Sequence, residues 1–140
     1  MVLHIRIKSV VNGTISLRLL LDTNVIIDFL KQEDGAFDLS SMSLEHEFII
    51  SVITKLELLK YPDISPNEEQ IINEFLQLFP VLSINTAIEN ETIAFSRSSR
   101  LKLPDAIIGA TAIVYDAEIV TRDSHFLNCQ YEKMHIWKPS

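Results

Sequence analysis

The chain has 140 residues, 47% of them hydrophobic and 22% charged, with 12 Lys+Arg against 19 Asp+Glu and a formal net charge of −7. That length holds one domain with a proper core and is too short for two, and the composition excludes a disordered or fibrous chain. The acidic balance argues against a nucleic-acid binder driven by bulk charge, because such affinity comes from neutralising phosphates with Lys and Arg. The most apolar stretch between charges, Ala106 to Tyr115, is about half of what a membrane span needs. The N-terminus alternates basic and apolar residues and lacks a signal-peptide core. Cys129 is the single cysteine, which excludes an internal disulfide framework or a multi-cysteine zinc site. These features together predict a cytoplasmic protein with no membrane partner.

Leu3, Ile5 and Ile7 alternate with His4, Arg6 and Lys8, and Asn12-Gly13 sits between two β-branched pairs, the pattern of a hairpin. Residues 1–16 therefore read as an extension and residues 17–140 as the domain. Leu17 to Leu21 is a short apolar run ending at Asp22, and Val25, Ile26, Phe29 and Leu30 follow at helical spacing. Phe48 to Ile53 is a second strand-like run, leading into helix formers from Thr54 to Lys60. Ser65-Pro66-Asn67-Glu68 is a capping box with proline at the first helical position, opening an amphipathic helix through Ile71, Ile72, Phe75, Leu76 and Phe79. Val81 to Ile84 reads as strand, and Asn85 caps a helix carrying Ile88, Ile93, Ala94 and Phe95. A nearly all-apolar helix from Asp105 to Tyr115 must be buried on most sides. Glu118 to Thr121 is a further strand and Met134 to Trp137 the last. Strands separated by helical patterns predict an α/β fold with a parallel sheet covered on both faces.

Reactive groups in such a fold gather outside the carboxyl ends of the strands. Four acids qualify: Asp22 ends the first domain strand, Glu57 lies one helical turn past the second, Asp105 begins the buried helix, and Asp123 follows the Glu118 strand. Each also has an ordinary structural explanation. Asp22 and Asn24 suit helix N-caps, and Thr54 with Glu57 forms a capping box. Asp105 meets the positive end of a helix dipole, and Asp123 suits a turn cap. Those explanations leave a shared location unexplained if all four converge. Two carboxylates about 5 Å apart repel by roughly 3 kcal/mol at an effective dielectric near 20, so four together need a cation. Hard oxygen ligands without His or Cys partners suit Mg²⁺ or Mn²⁺ better than zinc.

On these residues the sequence resembles a PIN-domain ribonuclease, especially the VapC-type toxins of toxin–antitoxin pairs. The likeness rests on Leu19-Leu20-Leu21-Asp22-Thr23-Asn24-Val25, on Ser51-Val52-Ile53-Thr54-Lys55-Leu56-Glu57-Leu58, on Leu103-Pro104-Asp105-Ala106-Ile107-Ile108-Gly109-Ala110, and on Ile119-Val120-Thr121-Arg122-Asp123-Ser124-His125-Phe126. It covers about residues 18 to 138. It implies a three-layer α/β/α fold with a central twisted parallel sheet of about five strands. It implies metal-binding roles for Asp22 and Asp105, with Glu57 and Asp123 completing the quartet and Asn24 and Thr121 as polar supports. Many relatives carry another acid where this chain has His125, which reads first as a solvated turn residue and second as a phosphate contact or a proton-transfer group.

The resemblance further implies Mg²⁺- or Mn²⁺-assisted hydrolysis of RNA phosphodiester bonds, leaving 5′-phosphate and 3′-hydroxyl ends. It implies a homodimer and a cognate antitoxin. Arg97, Arg100 and Lys102, just before Asp105, and Arg122, beside Asp123, are candidate RNA contacts or simply a solvated face. Two alternatives share the fold: an RNA-processing or decay nuclease without an antitoxin, and a metal-free interaction module that cleaves nothing. A haloacid-dehalogenase-like phosphatase also places an aspartate after an apolar strand, but that family needs a second aspartate where Asn24 stands. Without the four site acids the balance is 12 basic to 15 acidic residues, so more than half of the excess charge lies in the proposed site.

Overall fold

Leu19, Leu20 and Leu21 are each fully buried, because the strand that carries them lies at the centre of a sheet covered on both faces. The computed structural model describes residues 7–11 and 14–139. The central strand, β2 (Thr14–Leu21), pairs in parallel with β3 (Glu47–Ser51) on one side and β5 (Glu118–Val120) on the other. A fourth parallel strand, β4 (Val81–Leu82), extends the β3 edge. Beyond β5, Ile136 makes one parallel bridge to Ile119. The parallel sheet thus has four strands, and the predicted fifth, Met134 to Trp137, is reduced to that bridge.

Helices divide between the two faces as the side-chain alternation of β2 requires. Leu19 and Leu21 pack with residues of α1 (Thr23–Leu30), α2 (Leu39–Glu45), α3 (Val52–Leu59) and α4 (Pro66–Leu76). Leu20 packs on the opposite face with Phe95 of α5 (Thr86–Ser98), with Ala106, Ile108 and Ala112 of α6 (Leu103–Val114), and with Phe126 of α7 (Ser124–Leu127). The three-layer α/β/α arrangement expected from the sequence is therefore present. Among the described residues no helix is long and apolar enough to cross a membrane.

The extension pairs where the central sheet leaves room. Strand β1 (Ile7–Val11) runs antiparallel to the first half of β2, from Val11 opposite Thr14 to Ile7 opposite Leu17. The parallel partners of β2 begin only at Arg18 and Leu19. The two sets of partners therefore occupy successive lengths of one strand. The predicted hairpin is present in its strands, while Asn12-Gly13 and the alternating residues before Ile7 lie outside the described residues.

Several boundaries differ from the sequence reading. The Ser65 capping box is complete, with Ser65 Oγ accepting from Glu68 N at 3.1 Å, and Asn85 Oδ1 accepts from Ile88 N at 2.9 Å. Helix α3, by contrast, starts at Val52, and its N-cap is Ser51, whose Oγ accepts from Ile53 N. Thr54 and Glu57 lie inside that helix, so the capping-box explanation for Glu57 does not hold. Helix α6 begins at Leu103 with Pro104 in its first turn, two residues earlier than expected. Strand β4 stops at Leu82, and of the residues named on α5, Ile88 and Phe95 are buried while Ile93 is exposed beside buried Thr92.

Candidate active site

Six polar or charged residues are buried among those described: Asp22, Ser51, Thr54, Thr92, Thr111 and Thr121. Three have local explanations. Ser51 caps α3, and Thr92 and Thr111 each bond to the carbonyl four residues earlier in their own helix. The other three lie at the carboxyl end of the sheet, beside the acids singled out above.

Asp22 leaves the end of β2 and caps α1, with its backbone N–H still donating to Val120 O across the ladder. Its side chain is only 4% exposed. Oδ1 accepts from Thr23 N at 2.8 Å and Oδ2 accepts from the Thr121 hydroxyl at 2.7 Å. A carboxylate has about four lone-pair positions, so two remain for a ligand. Burial raises its pKa from 3.8 to about 6; the hydrogen bonds from Thr121 and Thr23 pull it down, and the charges of Asp105 and Asp123 push it further up.

Thr121 holds two acids at once. It donates to Asp22, and its hydroxyl oxygen accepts the backbone N–H of Asp123 at 3.0 Å. Asp123 caps α7, and its Oδ1 accepts from His125 N at 2.9 Å. His125 Nδ1 lies at the same 2.9 Å from that oxygen. Asp105, in the first turn of α6, has its carboxyl raised by burial first and then by Asp123 and Glu57, against the lowering effect of His125 and Lys102. Glu57 is presented by α3 and accepts from the Thr23 hydroxyl at 2.7 Å, while that hydroxyl also lies 3.1 Å from Thr54 Oγ1. One hydroxyl thus ties the Asp22 segment to the Glu57 helix.

The four acids therefore gather at one sheet edge, coupled to one another by charge and by shared threonines. Among the described residues, Asp105, Asp123 and His125 form a group able to hold an ion, with donor atoms all within 4.8 Å of one another. Asp22 and Glu57 stand beside it and interact with it electrostatically. Their chemistry fits a divalent cation: Asp22 and Asp105 are partly buried carboxyls pushed up by burial and by the neighbouring acids, and such a cluster is short of positive charge. Lys102 is close enough to lower the Asp105 pKa, and Arg122 packs its guanidinium 5.1 Å from the Phe37 ring centre beside Asp123. Arg97 and Arg100 are exposed, with no hydrogen bond or ion pair drawing them to the acids. Asn24 is also exposed, and Thr23, not singled out from the sequence, supplies the hydrogen bond to Glu57. The signal for Thr23 was its adjacency to Asp22, but its role depends on α3 lying alongside α1.

A model of the PIN domain matches residues 19–130, and the chain belongs to that family. Among solved structures, a toxin–antitoxin complex from Klebsiella pneumoniae is 29% identical, with a TM-score of 0.66 over 84% of this chain and 99% of that one. VapBC2 from Rickettsia felis, bound to a DNA fragment from its promoter, is 16% identical with a TM-score of 0.73, covering 87% of this chain and all of that one. DNA-bound VapBC from Salmonella typhimurium is 20% identical with a TM-score of 0.71, over 86% and 97%. The latter two likenesses speak to the fold. No curated protein matches the chain by sequence.

Proposed function

We propose that this protein is a divalent-metal-dependent endoribonuclease acting as the toxin of a toxin–antitoxin pair. The observation that carries the reading is Asp22: a carboxyl raised to about 6 by burial, held at both oxygens, and facing two more acids from distant segments. A fold that spends stability on such a cluster retains it for a ligand of opposite charge. Asp22, Glu57, Asp105 and Asp123 would hold Mg²⁺ or Mn²⁺, with Thr121 and Thr23 fixing the orientation of Asp22, Asp123 and Glu57. A divalent ion, when bound there, supplies Lewis acidity toward a phosphodiester and makes an attacking water more acidic. Lys102 and Arg122 flank the acids on the side chain surface and would meet the RNA backbone; Arg97 and Arg100 would extend that contact. We read the four acids as the catalytic set.

The partner reading draws on the Klebsiella pneumoniae complex and on a cleft of about 400 Å³ between α1, α3 and α4. Ile27, Leu30, Leu58, Ile64, Ile71 and Ile72 contribute its apolar lining, which suits an apolar segment of an antitoxin. A homodimer is proposed on the resemblance to VapC-type toxins alone.

RNA cleavage tests the enzymatic half. Wild type with millimolar Mg²⁺ or Mn²⁺ should cut RNA, while EDTA or Asp105→Asn should abolish cutting. Equal cleavage by Asp105→Asn contradicts the assignment. Growth arrest on induction, relieved by coexpressing a small neighbouring gene, tests the toxin half. Cleavage without such a partner would favour RNA processing or decay.

A further inference from the structure

The sequence reading assigned the acids a purely oxygen donor set, and the structure adds a nitrogen. His125 stands one residue into α7, and its backbone N–H bonds to the carboxylate of the cap, Asp123, at 2.9 Å. The same cap brings the imidazole Nδ1 to 2.9 Å from Asp123 Oδ1. Its side chain is 73% exposed, so the ring can meet an ion at little desolvation cost. Adjacent donors on an octahedral ion with bonds of about 2.1 Å lie about 3.0 Å apart by simple geometry. The Nδ1–Oδ1 separation already matches that spacing, and Asp105 completes the group within 4.8 Å.

We infer that Asp105, Asp123 and His125 form a mixed carboxylate–imidazole site that ligates a first-row transition ion, Mn²⁺ being the probe of choice, in preference to Mg²⁺. The inference rests on the reading of the acids as an ion site and deepens it by naming the ligand and the ion class. Its physical basis is donor character. Mg²⁺ prefers oxygen and gives up its waters reluctantly, whereas imidazole is a good ligand for transition ions. Nδ1 must be free of its proton to ligate, which leaves the tautomer with the hydrogen on Nε2. The competing role for His125, an Nδ1–H donor that merely orients Asp123, gives the same short distance but no metal–nitrogen bond.

Electron spin-echo spectroscopy of the Mn²⁺-loaded full chain separates the two. Coordinated imidazole couples its ¹⁴N nucleus to the electron spin, and the coupling changes when histidine is ¹⁵N-labelled. We expect that coupling in wild type and its loss in His125→Asn. Calorimetric titration should show Mn²⁺ affinity falling by at least about tenfold in His125→Asn, while Mg²⁺ affinity changes by less than about threefold. His125→Asp should bind both ions with the preference for Mn²⁺ reduced. If Mn²⁺ binds in an Asp105-dependent manner without nitrogen coupling, the imidazole ligand is overturned and the functional reading stands. If wild type binds no Mn²⁺, both fall.

Discussion

Burial that raises the Asp22 carboxyl to about 6 makes the fold itself sensitive to pH when no cation is bound. The folded state holds this proton more tightly than the unfolded chain, whose value is near 3.8. The stabilising contribution is therefore complete below pH 3.8 and is lost as pH rises through about 6. The difference corresponds to about 3 kcal/mol. In EDTA, Asp22→Asn should be more stable than wild type to urea by about 1–3 kcal/mol at pH 7.5, with the gap narrowing toward pH 4. A gap independent of pH contradicts the raised carboxyl. Thr23→Val tests the other tie. Losing the hydrogen bond to Glu57 should slow cleavage by about 10–100-fold while costing only about 1 kcal/mol of stability. An unchanged rate would remove Thr23 from the site. Asp22 was legible in the sequence because it directly follows the apolar run Leu19-Leu20-Leu21. Thr23 was not, since it acts on Glu57, whose position only the assembled helices define; His125 stood out by its place after Asp123, but the approach of its ring to that carboxylate follows from the cap geometry.

The same contrast appears among the elements. Ser65-Pro66-Asn67-Glu68 specifies the start of α4 with bonds contained in four consecutive residues, so sequence sufficed. Two hydroxyl residues compete for the start of α3, and local pattern favoured Thr54. Burial decides otherwise: Ser51 caps the helix at the sheet edge, which leaves the Thr54 hydroxyl to meet Thr23. Ser51→Ala should lower stability by about 1 kcal/mol, or roughly 4 °C in melting temperature, a loss readable by circular dichroism. No loss would mean that the cap is not the one described. Helix α2 escaped the sequence reading because its seven residues bury only Leu39, too few to establish a period. Strand β4 and the Ile136 bridge are similarly short, because edge positions make few pairs.

At the scale of the whole molecule, β1 pairs only with the half of β2 that precedes the parallel sheet. Removing residues 1–13 should therefore leave the fold and cleavage intact; a truncated chain that unfolds would make the extension part of the domain. The net charge of −7 first argued against a nucleic-acid partner, and the gathering of four acids at one edge gives part of that excess a local purpose. The structure adds an imidazole to their company, which no count of charges could reveal. The central claim is that these acids work as one ion-dependent unit, and the most direct measurement is the RNA cleavage rate of Asp22→Asn, Asp105→Asn and the double variant at saturating Mn²⁺. Groups that act as a unit lose nearly everything at the first removal. The account predicts that each single variant falls to nearly the level of the double. Independent losses that multiply in the double variant, or single variants that cleave like wild type, would contradict it.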